Sequence, residues 1–241
     1  VQEFFQDVMQ QLAFSPPGWG KNLLWGLFTT LQIAFGAYAL ALLIGIGGML
    51  GKVYGGPVMR LLLEIYTTVI RAVPELIVLL LLYYAGTDLL NYILIKLGYP
   101  PADINALLAG ILVIGIVQGA FCTEVFRGAV RSIPVGQIEA AQSFGMPFWQ
   151  RFRRVILPIM IPRALPGLSN LWLITTKDTA LLAVIGFSEL ALTTKQAAGA
   201  TKSYFLFYIV AALIYLCVTL ISNFVLKRIE NHYRRGQKKL A

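Results

Sequence analysis

Apolar residues gather into five long blocks along the chain, at roughly 22–50, 58–86, 104–126, 164–187 and 203–226. A helix rising about 1.5 Å per residue crosses the ~30 Å hydrocarbon of a bilayer in about 20 residues, and every block is that long. Backbone in hydrocarbon must satisfy its own hydrogen bonds, which runs of this length do as helices. The pattern therefore predicts an all-α membrane protein with about five transmembrane helices. The N-terminal stretch is different. Val1, Phe4, Phe5, Val8 and Leu12 fall on one helical stripe, with Glu3, Gln6, Asp7, Gln10 and Gln11 elsewhere, and Pro16 and Pro17 close the segment. That spacing predicts an amphipathic helix resting on a membrane surface.

Composition narrows the class further. Of 241 residues, 58% are hydrophobic and 13% charged, against about 45–50% and about 25% in soluble domains. A net charge of +9 raises the question of nucleic-acid binding, but the placement of the charge answers it. Fourteen of the twenty Lys and Arg residues lie on one side of the predicted membrane: Lys52, Arg60, six arginines between 127 and 163, and six basic residues from Lys227 on. Only Lys21, Lys96, Lys195 and Lys202 lie on the other side. By the positive-inside rule the N-terminus is expected to face out, and the 127–163 loop and the C-terminus to face the cytoplasm. The division expected is an amphipathic segment at 1–19, a transmembrane domain at 20–228 and a basic tail at 229–241. The acidic, polar start of the chain does not have the pattern of a cleavable signal peptide.

Ionisable residues inside the blocks are costly in lipid and are expected to face protein or a watery path. Glu64, Arg71 and Glu75 share one helical face of the second block, with Pro74 set to kink or break it. Arg71 and Glu75, one turn apart, read as a mutually satisfied pair. In the fourth block Lys177 and Asp178 are sequence neighbours that cannot neutralise each other on a helix. Asp178 therefore needs another partner: a cationic substrate, or a basic group on a neighbouring helix. Glu124, Arg127 and Arg131 read as a structural charge ladder. Gly47 with Gly51, and Gly115 with Gly119, have the spacing that lets membrane helices pack closely.

Several chemistries are not supported. The run GIGGMLGK at 45–52 lacks the spacing and the Ser or Thr of a phosphate-binding loop. His232 is the only histidine, Cys122 and Cys217 have no metal-type spacing, and no nucleophile–base pair is recognisable. An enzyme using Glu64, Glu75 and Asp178, or a channel using the same carboxylates, is the rival to a transport subunit.

The 127–163 loop carries VGQIEAAQSFGMPFWQRFRRVILPIMIPRALPG from Val135 to Gly167. A short helix, a turn at Gly145 and a second amphipathic segment ended by Pro158 and Pro162 are predicted. Such an element docks a partner or lies on lipid headgroups, the latter favoured by Trp149 and its neighbouring arginines. Glu139, Ala140, Ala141, Gly145, Val155, Leu157 and Pro158 resemble the loop motif of the integral membrane subunits of bacterial ABC importers, Val155 standing where isoleucine is usual. EIYTTVIRAVPEL (64–76), TEVFRGAVRSIPVGQIEAA (123–141) and TTKDTALLAVIGFSEL (175–190) resemble the polar amino-acid branch, most of all the permeases for histidine, lysine, arginine, ornithine and opines.

The resemblance implies an ABC type I importer-like permease of the bacterial inner membrane. It implies a second permease subunit, identical or homologous, two ATPase subunits and a periplasmic substrate-binding protein. ATP and Mg are expected on the ATPases, with no cofactor bound by this chain and no catalysis by it. Coupling to the ATPases falls to Glu139, Ala140, Ala141, Gly145 and Pro158. Glu64 and Asp178 match the positions expected to hold the cationic end of a basic amino acid.

Overall fold

The computed structural model describes residues 2–101 and 105–233. Val1, the start of the third predicted block at 104, and the tail beyond residue 233 lie outside the described residues, as do the side chains of Phe4 and Phe5. The described chain folds as α1 (Gln2–Gln11), α2 (Gly20–Tyr54), α3 (Pro57–Ala72), α4 (Glu75–Lys96), α5 (Ala106–Arg131), α6 (Val135–Ser143), α7 (Phe148–Arg151), α8 (Leu157–Asp178), α9 (Leu190–Thr201) and α10 (Tyr204–Tyr233). Five helical stretches are long and apolar enough to cross a membrane: Gly20–Tyr54, Glu75–Lys96, Ala106–Arg131, Phe148–Ile185 and Tyr204–Tyr233. The amphipathic start is helical over Gln2–Gln11, and the residues 229–233 assigned to a separate tail continue α10 instead.

The break predicted at Pro74 is present, and three boundaries differ from the sequence pattern: the end of α4, the fourth crossing and the stretch that forms α9. The second block is two helices, α3 and α4, separated at Val73 and Pro74, both extended. Proline lacks the N–H for a helical bond and disfavours helical backbone in the residue before it, so α3 ends there. α4 then runs to Lys96, past the expected end at residue 86. The fourth crossing is longer than predicted. Pro158 and Pro162 do not end the loop segment; Pro158 sits in the first turn of α8, while Pro162 and Pro166 lie inside it. A π-helical turn at Phe152–Ile156 immediately precedes Pro158, and such a wide turn gives the ring room against the preceding carbonyls. α8 tightens into a 3₁₀ stretch at Thr179–Ile185 and ends at Gly186. α9 occupies a stretch the hydrophobic pattern left blank.

The centre of the bundle is the α2–α5 pair. A Cβ on Gly45 would come 2.5 Å from Cys122 Cβ, and one on Gly48 would come 2.3 Å from Thr123 Oγ1. On the facing helix, Gly115 receives Leu40 and Gly119 receives Ile44. Close helix approach through small residues is confirmed for α5, but on α2 it uses Gly45 and Gly48 rather than Gly47, which has open space, and Gly51, which receives Leu63 of α3. Ala41, Met49, Cys122, Phe126, Ile156, Met160 and Leu171 build the main apolar core around this pair.

α9 is anchored by Glu189, whose buried carboxylate accepts from Ala191 N–H at 2.9 Å and Leu192 N–H at 2.8 Å. The same group accepts from Thr30 of α2 and Tyr215 of α10, each at 3.3 Å. Burial pushes this carboxyl above its ordinary range, and the backbone donors oppose that shift. One side chain thus caps α9 and ties it to two spanning helices.

Candidate functional site

Two places bring the sequence-predicted residues into play: the α6–α7 loop, and the polar groups held between the spans.

In the loop, α6 carries Glu139, Ala140 and Ala141 as one exposed turn with a single inward residue. Ala141 is buried, and Glu139 and Ala140 are exposed. Gly145 has φ +68, the left-handed region, with nothing within 4 Å of an added Cβ. Its glycine is needed for backbone conformation, not for space. The reversal puts Phe144, 83% exposed, and Trp149, 67% exposed, on the outer surface of the loop. Underneath, Phe152, Ile156 and Ile133 are buried in the main core, and Trp149 stacks on Phe152 at 5.8 Å. Arg163 of α8 donates to the carbonyl and hydroxyl of Ser132, pinning the entry to the loop. The loop is therefore a rigid knuckle carrying exposed aromatics. Pro158 lies at its root, in the first turn of α8.

Between the spans, Asp178 accepts a hydrogen bond from Gln118 Nε2 at 2.6 Å, and the Glu75 carboxyl stands close beside the same group. Gln118 is fully buried in the middle of α5, and its Oε1 has no hydrogen-bond partner among the described residues. Three helices converge here: the start of α4, the centre of α5 and the end of α8, where the helix changes to 3₁₀. Lys177 is exposed and points elsewhere, as its position beside Asp178 predicts.

Glu64 is not brought to Asp178. It pairs with Lys52 Nζ at 2.8 Å and leaves its side chain 54% exposed. Lys52, read from sequence as a loop cation, is instead buried, and also donates to Thr67 Oγ1 at 2.6 Å and Glu124 Oε1 at 2.7 Å. Glu124 in turn accepts from Arg127 Nε at 2.9 Å. Arg71 turns to this cluster, 3.6 Å from Glu124 Oε2, rather than pairing with Glu75. The break at Val73–Pro74 explains the change: on one continuous helix Arg71 and Glu75 would share a face, but the extended residues send Glu75 to Asp178. Gln118 was missed because only ionisable residues were sought. Its signal was an amide in the apolar run AGILVIGIVQGAFC.

Residues 43–235 match the family model described as the binding-protein-dependent transport system inner membrane component. The chain belongs to this family. It is 40% identical over 222 residues to the histidine/lysine/arginine/ornithine transport system permease protein HisQ of Salmonella typhimurium, covering 92% of this chain and 97% of that one. It is also 40% identical over 229 residues to the nopaline transport system permease protein NocQ of Agrobacterium fabrum, with coverage of 93% and 96%. Among solved structures, an amino acid ABC transporter crystallised with histidines superposes with a TM-score of 0.73 at 31% identity, covering 88% of this chain and 94% of that chain. An inward-facing MetNI methionine ABC transporter shares the fold at 18% identity and a TM-score of 0.74.

The protein is thus an inner-membrane permease subunit of an ABC importer, with the type I importer fold expected from its loop. Membership settles the rivalry among the sequence readings against an enzyme or a free-standing channel.

Proposed function

We propose that this permease carries basic amino acids or opine-type derivatives, and that Asp178 holds the cationic end of the cargo. The observation carrying this reading is the cluster of Asp178, Glu75 and Gln118. Two carboxyl groups and an amide oxygen meet between spans, an arrangement rich in acceptors and with no ion-paired basic side chain among the described residues. A guanidinium or ammonium group supplies the missing donors and charge. Glu64 lies at the mouth of a second polar pocket, the other carboxylate along the route. Two chains 40% identical to this one are named for the transport of histidine, lysine, arginine and ornithine, and of nopaline.

In this reading the N-terminus is periplasmic and the C-terminus cytoplasmic. A second permease subunit, identical or homologous, completes the pathway, and a periplasmic substrate-binding protein delivers cargo. Two ATPase subunits, holding ATP and Mg, dock on the α6–α7 knuckle through Glu139, Ala140, Ala141 and Gly145, with Pro158 bracing its root. Hydrolysis belongs to those subunits, and this chain binds no cofactor.

Uptake of radiolabelled lysine and arginine by cells dependent on this permease tests the assignment. Asp178→Asn is expected to reduce uptake at least about tenfold, the loss of one charge-assisted contact, with Glu64→Gln having a smaller effect and both proteins still assembling. Unchanged kinetics in both variants would remove these residues from the route.

A further inference from the structure

The cluster around Lys52 has an uncompensated positive charge. Among the described residues Lys52, Arg71 and Arg127 face only two carboxylates, Glu64 and Glu124. Lys52 is saturated by three oxygens within 2.8 Å. Arg127 is bound to Glu124. Arg71 remains: at 3.6 Å it is beyond hydrogen-bonding distance of Glu124, it donates no hydrogen bond among the described residues, and its side chain is 44% exposed. An arginine in a charge cluster with a net positive excess and idle donors is a ready site for an anion.

Arg71 opens on a polar pocket of about 400 Å³ lined also by Glu64, Thr67, Thr68, Glu124 and Arg127. Exposed Thr68 adds a hydroxyl beside the arginine fork, while the Thr67 hydroxyl is taken by Lys52, and planar guanidinium matches a carboxylate in two-point contact. Along α5, Glu124 and Gln118 mark the depths of this pocket and of the Asp178 cluster. Six residues at 1.5 Å rise separate these depths by about 9 Å. A basic amino acid, extended at roughly 1.2–1.3 Å per bond, spans about 7–8 Å between its carboxylate and its side-chain cation. The α3–α4 break falls between Arg71, which turns to Glu124, and Glu75, which turns to Asp178.

We infer that Arg71 receives the α-carboxylate of the transported amino acid in the Thr67–Thr68 pocket, while Asp178 holds its cationic end. Arg71 is then a specificity-determining residue that makes the permease select amino acids over amines. The inference rests on the proposed cargo, and the experiment separates the two. The assembled transporter in lipid nanodiscs, without binding protein or ATP, is titrated with radiolabelled arginine and with agmatine, its decarboxylated analogue. The wild-type complex is expected to bind arginine at least about tenfold more tightly, the lower range for a charged hydrogen bond. Arg71→Gln should bring arginine down to the agmatine level and leave agmatine unchanged, and Arg71→Lys should keep part of the preference. Binding of neither ligand by the wild type overturns the cargo assignment. Equal wild-type binding of both, or a full arginine preference in Arg71→Gln, overturns the role of Arg71 alone. The wild-type comparison is decisive even if a variant fails to assemble.

Discussion

Lys52→Met removes the centre of the ion cluster while keeping a long apolar stem, and the structure allows its effect to be worked out. The Lys52 side chain is 1% exposed and contacts Thr67, Glu124 and Glu64 at 2.6, 2.7 and 2.8 Å. Breaking a buried ion pair by deleting one partner costs about 3–5 kcal/mol, because the other charge is left stranded. Here the stranding is incomplete. Glu64 is 54% exposed and is rehydrated, so its share falls to the ~0–1 kcal/mol of a surface pair. Glu124, 16% exposed, keeps Arg127 and has Arg71 nearby. What remains is mainly the lost charge-assisted bonds to Glu124 and Thr67, giving about 2–3 kcal/mol. At roughly 2–4 °C per kcal/mol for a chain of this size, the melting temperature should fall by about 5–10 °C. The assay is thermal melting of the purified protein in one fixed detergent and lipid mixture, beside Glu64→Gln, which should lower it by about 0–3 °C. A Lys52→Met protein melting with the wild type, or a Glu64→Gln loss as large as that of Lys52→Met, would refute the reasoning.

Two further predictions concern glycines. Gly145→Val forces a β-branched side chain into the left-handed region at about 1–2 kcal/mol and should abolish ATP-driven uptake while the protein stays in the membrane; Gly145→Asn, compatible with that backbone, should retain uptake, and equal transport by the valine and asparagine variants would contradict the backbone argument. Gly48→Leu drives a side chain into Thr123 and should lower stability by about 1–3 kcal/mol in the melting assay, whereas Gly47→Leu, facing open space, should melt with the wild type.

The number of membrane crossings was legible in the sequence because hydrocarbon imposes a length and an apolarity that few other environments do. The second, however, lies at Glu75–Lys96 rather than 58–86, because α3 is a separate helix. The α6–α7 loop was legible for another reason: Gly145 and the Glu139–Ala141 turn form a local arrangement, and the chain there carries its own geometry. Local reading failed where a break or a distant partner decides the outcome. Pro74 was read as a kink or break, but the direction in which it would send Glu75 depended on Gln118 and Asp178, far away in sequence. Pro158 and Pro162 looked like stops because the π-helical turn that accommodates Pro158 has no signature of its own. Lys52 looked like a solvent-facing cation at a span's end, and only the fold brings Glu64, Thr67 and Glu124 around it. Glu189 drew no notice among polar neighbours, and its role as the anchor of α9 depends on Thr30 and Tyr215.

The proposed assembly is tested most directly by extracting the protein from native membranes in a mild detergent and identifying what copurifies by mass spectrometry. An ATPase subunit in stoichiometric amount, and a second permease if the pathway is heterodimeric, is the expected result. Recovery of the folded chain alone, under conditions that keep other ABC importers intact, would contradict the assignment of the α6–α7 knuckle as an ATPase dock.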